Sequence, residues 1–202
     1  MKTTAIKILI FLSFFSFLFS CSSDDEAKQF PLEQPSVIDA EDYNVYTAII
    51  KSYNDDYVVV TQKTIGTFIS CIDCSFLEQL AEDNPGFEPE MAATLVEVNQ
   101  NPLYLDESFA ISSAQVVLVS EAQLNYIFNS DSSKDWKQFR NIFQNVFGYK
   151  QFSAVAFNTD KTKALVDVAN VCGPLCSEGR LYYLEKENGL WIIKKTVGTW
   201  IS

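Results

Sequence analysis

The sequence predicts an α+β domain, with N-terminal and central helices packed on a mostly antiparallel sheet that ends in a four-stranded meander. Three observations carry this expectation. An amphipathic pattern opens near residue 40, β-rich apolar runs stand at Tyr57–Thr61 and Gln115–Val119, and from Gln151 short apolar runs alternate with turn residues. Helices that precede a meander are expected to cover one of its faces.

Asp39-Ala40-Glu41-Asp42 places acids at the positive end of a helix whose apolar residues, Tyr43, Tyr46, Ile49, Ile50 and Tyr53, recur at spacings of three and four. Asn54-Asp55-Asp56 then turns the chain into the first strand, Tyr57–Thr61. Gly66, Pro85, Gly86, Pro89 and Pro102 break residues 65 to 110 into short pieces, with helices expected over 75–81 and 89–98, the latter with proline in its first turn. Gln115–Val119 reads as a strand, and Ser120-Glu121-Ala122-Gln123 is a capping box that starts a helix running to about Phe128. Trp136, Phe139, Ile142, Phe143 and Phe147 form an aromatic stripe at helical spacing, which reads as core. The meander is expected over 152–157, 164–169, 180–186 and 190–201, and Asn188-Gly189 supplies the type I′ turn of its last hairpin.

Upstream of this domain, Lys2 and Lys7 precede a twelve-residue run, 8–19, that is apolar but for Ser13 and Ser16. About 20 apolar residues are needed to span a bilayer, so the run is too short and has the pattern of a secretory signal peptide over residues 1–20. Leu18-Phe19-Ser20-Cys21 resembles the lipobox of bacterial lipoproteins, which implies acylation of Cys21. Ser22-Ser23-Asp24-Asp25-Glu26 is similar to the acidic surface-export signal of Bacteroidetes-type lipoproteins. That resemblance implies attachment to the outer membrane, displayed at the cell surface, with the periplasmic face as the alternative. Residues 21–37 then read as the acylated cysteine and a flexible tether, and 38–202 as a single globular domain.

Composition removes whole classes of function. Lys2 and Lys7 would leave with the signal, so 13 of the 15 basic residues remain against all 26 acids, a formal charge of −13. Such a field repels phosphate backbones and argues against nucleic-acid binding. The chain has no histidine. Ser-His-Asp and Cys-His nucleophiles, a histidine-ligated catalytic zinc and a histidine general base are therefore impossible. No pair of carboxylates stands at a recognisable catalytic spacing, so no catalytic residue is assigned, and the pattern leans away from an enzyme. No cofactor is implied.

The C-terminal motif comprises Gly148 and Phe157-Asn158-x-Asp160-Lys161, then Val168 through Cys172-Gly173-Pro174-Leu175-Cys176-x-Glu178-Gly179. It continues with Leu184-Glu185-Lys186-x2-Gly189-x-Trp191 and ends at Trp200-Ile201-Ser202. It is similar to the C-terminal part of an uncharacterised family of secreted bacterial proteins. The resemblance covers about the last 60 residues and implies the strand pattern without an activity.

With Cys21 acylated, four cysteines remain. An oxidising compartment favours two local disulfides, Cys71 with Cys74 and Cys172 with Cys176. A four-thiolate zinc site joining the two pairs stays open as an alternative, although no metal site is assigned. A redox reading of Cys172 and Cys176 needs a helix N-terminus to stabilise a thiolate, and strands are expected on both sides. The expectation is a lipid-anchored cell-envelope protein, held to the membrane by its acyl chains, with a non-catalytic binding or structural role. The alternatives are a thiol-dependent oxidoreductase using Cys172 and Cys176, or a module binding a protein, peptide or glycan. In the last case the outward-facing member of Tyr182 and Tyr183 is the candidate contact, because neighbouring strand residues point to opposite faces.

Overall fold

A computed structural model describes residues 29–68, 75–129 and 132–202. The elements in chain order are α1 (Ala40–Tyr53), β1 (Tyr57–Thr61), α2 (Ser75–Asp83), α3 (Glu90–Val98), β2 (Gln115–Val119), α4 (Glu121–Ile127), α5 (Ser132–Ile142), β3 (Tyr149–Phe152), β4 (Ala156–Phe157), β5 (Lys163–Val171), β6 (Glu178–Glu187) and β7 (Leu190–Ile201). All strands belong to one sheet of order β2-β1-β3-β5-β6-β7, with the two-residue β4 pairing alongside β5. The architecture is α+β with a mostly antiparallel sheet.

Local chemistry sets the element ends. Asp39 caps α1 by accepting a hydrogen bond from Glu41 N at 3.1 Å, and Asn54, in the left-handed region, ends the helix. Ser120 accepts from Gln123 N at 3.2 Å and starts α4, as the capping box predicts. Asn188 and Gly189 both take positive φ, 50° and 81°, which is what a type I′ turn between β6 and β7 requires. Glu41 accepts from Lys186 Nζ at 2.9 Å and Trp191 Nε1 at 2.8 Å, tying the first turn of α1 to the last hairpin.

Three expectations about the fold need correction. The strand expected over 152–157 is two strands: β3 and β4 both pair with β5, and Ser153 to Val155 kink away between them. Ser153 keeps the ladder intact through the kink, because its N–H donates to Asp167 O and its hydroxyl accepts from Asp167 N, both at 2.9 Å. β1 lies parallel to both β2 and β3, an arrangement made possible by the long connections that precede those strands. Phe147 is not core but 84% exposed, and Ile142 is 43% exposed, because the buried side is carried by Trp136 and Phe139 of α5 and by Phe143 just after it.

The third correction concerns the helices, which cover both faces of the sheet. On the first face, Val58, Val60, Phe152, Val166, Val168, Tyr182 and Leu184 lie under Tyr43, Tyr46, Ile49 and Ile50 of α1. On the second, Leu165, Leu181 and Tyr183 lie under Leu80, Met91 and Leu95 of α2 and α3. Val59 and Val119 on that face pack against Ile127 of α4 and the α5 aromatics. The cause is legible in β5, where 164–166 and 168–169 are all apolar: a strand of that composition is covered on both sides.

The order of the chain begins before Ile38. Glu33 N donates to Gln62 Oε1 at 2.8 Å, and Ser36 exchanges bonds with Tyr104, so these two residues of the expected tether are held against the domain. Among the described residues no helix is long and apolar enough to cross a membrane.

Candidate functional site

Residues directly opposed across neighbouring strands point to the same face. Lys150 of β3 is opposite Asn170 of β5, Asn170 opposite Glu178 of β6, and Glu178 opposite Ile201 of β7. Four strands thus place one rank of side chains on the first face, at the end of the sheet where α1 stops. Tyr53, the last residue of α1, reaches over this rank. Its hydroxyl lies 2.6 Å from that of Tyr182 and receives a bond from Asn170 Nδ2 at 3.3 Å.

Gly148 makes the rest of the wall possible. A Cβ there would lie 2.1 Å from Val171 O and 2.8 Å from Cys172 Cα, so the chain entering β3 crosses the end of β5 only without a side chain. The result is a cleft of about 260 Å³ whose lining includes Tyr53, Asp55, Phe147, Lys150, Asn170 and Cys172.

Lys150 is the chemical centre of the cleft. Its side chain is only 12% exposed, and its ammonium sits 3.4 Å from the centre of the Tyr53 ring. It donates to Asn170 Oδ1 at 3.0 Å, whereas Asp55 Oδ2, at 3.9 Å, is beyond hydrogen-bond reach. Burial pushes the amine down to about 8, against the opposing pull of Asp55 and Glu178 and with a small push from Arg180. Glu178 does not neutralise it directly. Its two oxygens accept from Arg180 Nε at 2.8 Å and Nη2 at 2.9 Å, and this pairing holds the carboxyl below its usual range. An ammonium so placed has donors left for an acceptor oxygen entering the cleft, and its neutral form is a nucleophile.

A second cavity, about 240 Å³, is lined in part by Thr61, Lys63, Glu121 and Gln151. Its cation is already engaged, since Lys63 Nζ lies 2.9 Å from Glu121 Oε2. Asp167, on the second face, is a third unusual group. It is fully buried, accepts at Oδ2 from Thr67 Oγ1 at 2.5 Å and Phe68 N at 3.0 Å, and leaves Oδ1 without a partner among the described residues. Burial pushes this carboxyl up to about 6. It lines neither cavity.

Cys172 and Cys176 are joined in a disulfide with a Cα separation of 5.6 Å. The five-residue turn lies between β5 and β6, and no helix begins at either cysteine. Its connection to the cleft is positional, through Cys172 in the lining. Cys21, Cys71 and Cys74 lie outside the described residues. Among the described residues no group of three or more histidine, cysteine, aspartate or glutamate side chains could hold a metal ion.

The surface-aromatic expectation fails, because both tyrosines are core: Tyr182 is 4% exposed and Tyr183 0%. Helices on both faces are the reason. Tyr182 lies beneath Tyr53, and Tyr183 meets Phe87 edge-on at 5.4 Å while donating to Glu185 Oε1. Sequence reasoning also passed over Lys150. The available signal was the alternation Lys150-Gln151-Phe152, which puts a lysine in phase with a buried phenylalanine.

Compared with known proteins, the chain matches no family model, no curated protein and no solved structure.

Proposed function

We propose that this is a binding protein of the cell envelope, anchored through acylated Cys21, whose ligand occupies the Lys150 cleft. The lipobox resemblance supports the anchor, and with it outer-membrane attachment with display at the cell surface. The carrying observation for the ligand is Lys150 itself: a nearly buried ammonium whose hydrogen bond goes to a neutral amide, facing an open cleft. A cation held this way, between aromatic and polar walls, suits a small organic molecule presenting a carboxylate or carbonyl oxygen. Thiol exchange at Cys172 and Cys176 has less behind it, because both cysteines lie between two strands and no helix begins at either of them.

The test is a thermal-shift titration with butanoate at pH 7, in the wild type and in Lys150→Met. The reading expects a concentration-dependent rise in Tm for the wild type and none for the variant. Equal shifts in both would refute it. The anchor is tested separately by the intact mass of protein extracted from membranes, where an unmodified Cys21 in a cleaved chain would refute acylation.

A further inference from the structure

We propose that Lys150 is an imine-forming amine that takes a small aldehyde or ketone with an apolar body. The proposal rests on the reading that the cleft holds a ligand, and adds a covalent step to it. Its first support is a contrast among the lysines. Lys63, Lys163, Lys186 and Lys195 each place Nζ 2.6 to 2.9 Å from a carboxylate oxygen, and Lys161 and Lys194 are likewise paired, with Asp39 and Glu187. The hydrogen bonds to Glu121, Asp39 and Glu187 shift Lys63, Lys161 and Lys194 upward. Among the described residues Lys150 has only an amide oxygen within hydrogen-bond distance.

The second support is the shape of the surroundings. The amine emerges from the sheet into a cleft whose walls carry Tyr57, Val146 and Phe147, apolar surface for the body of a carbonyl compound. The charged groups facing it are Asp55, from the turn after α1, and Glu178 and Arg180, from β6. The last two satisfy each other through two hydrogen bonds, so Asp55, at 3.9 Å and half-exposed, is the proton acceptor nearest the amine. Burial adds to this by pushing Lys150 down to about 8, so that a far larger fraction is neutral at pH 7 than for an ordinary lysine near 10.5.

The step balances without an oxidant or reductant. Lys150 loses a proton to Asp55 or solvent, and its nitrogen lone pair adds to the carbonyl carbon while the carbon–oxygen π pair moves to oxygen, which is protonated. The charged nitrogen then gives one proton to solvent, leaving a neutral carbinolamine whose hydroxyl is protonated and departs as water while the nitrogen lone pair forms the C=N bond, and the iminium N–H gives up the last proton. One amine and one carbonyl give one imine and one water.

The experiment treats the intact protein with butanal and cyanoborohydride at pH 7, where hydride transfer converts any imine to a stable secondary amine, and maps the alkylated lysines by peptide mass against time. Lys150 is expected to be alkylated at least about tenfold faster than Lys63 or Lys161, since each unit of lowered pKa raises the neutral fraction about tenfold. In Lys150→Arg the fast component should vanish while the slow ones persist. Alkylation of Lys150 no faster than of Lys63 would overturn the proposal. A parallel arm measures whether butanoate slows acetylation of Lys150 by acetic anhydride. Protection there, without selective alkylation by butanal, would leave the cleft as a ligand site and remove only the covalent step.

Discussion

Lys150 and Asp167 are both ionisable groups enclosed by the same sheet, on opposite faces and within a few residues of each other across β3 and β5, yet they have opposite surroundings. Lys150 opens onto a cleft and is held by an amide and an aromatic ring. Asp167 is closed over by Thr67 and Phe68 and has no cavity against it among those described. Burial displaces both titrations, but only one group can meet a molecule from outside. Access, rather than the size of the shift, separates a candidate site from an internal strut.

The contrast is open to attack at the cleft wall first. Gly148→Ala drives a Cβ into backbone atoms of Val171 and Cys172 that have no side-chain freedom with which to yield, and should cost about 3 kcal/mol, the upper end of ordinary overpacking. Urea unfolding measures it, and a cost below a few tenths of a kcal/mol would mean that the wall readily rearranges. Replacing Cys172 and Cys176 together by serine should cost about 2 kcal/mol, as expected for releasing a five-residue loop, with the butanoate response retained. Loss of that response at full folding would make the disulfide part of the site.

The pH experiments sharpen the comparison, because the two groups act with opposite sign. Lys150 has a folded-state value of about 8 against 10.5 when free, so between these values the unfolded chain binds more protons and stability rises with pH. Lys150→Met should remove that rise, seen as the difference between wild type and variant in denaturant midpoints at pH 7 and 10. Asp167 has a folded-state value of about 6 against 3.8, so its contribution is full below 3.8 and is lost as pH rises through 6. Asp167→Asn should flatten the fall between pH 4 and 7. The fall will not vanish, since burial also raises Asp42 to about 6. An unchanged pH profile in either variant would show that the group does not carry the shift.

Much of the scaffold could be read from local pattern. The acids and tyrosines of α1, the serine cap of α4, the β-branched runs of β1 and β2 and the Asn188-Gly189 turn each encode their own conformation within a few residues. The cleft could not be read in this way, because it is assembled from Tyr53, Lys150, Asn170 and Glu178 on four separate elements. Only the register of β3 with β5 and of β5 with β6 brings them into one rank. The break between β3 and β4 was hidden for a similar reason: Ser153 and Ala154 are held by Asp167 and Asn99, distant in sequence. The cover on both faces, by contrast, was available in the apolar texture of β5, interrupted between 164 and 169 only by Asp167, and was outweighed by the expectation that helices cover one face of a meander.

The position of β1 has a consequence for the order in which the chain assembles. β5, β6 and β7 pair with their immediate neighbours through tight connections, whereas Tyr57 of β1 waits for Gln115 and Val59 for Tyr149. Closing those long loops is entropically slow, so the meander should gain amide protection first in a refolding pulse-labelling experiment, with β1 and β2 following. The rank that carries Lys150 sits at this seam, since β3 joins the late-forming half of the sheet to the early one. The cleft would then be among the last features of the molecule to exist, present only in chains that have finished folding.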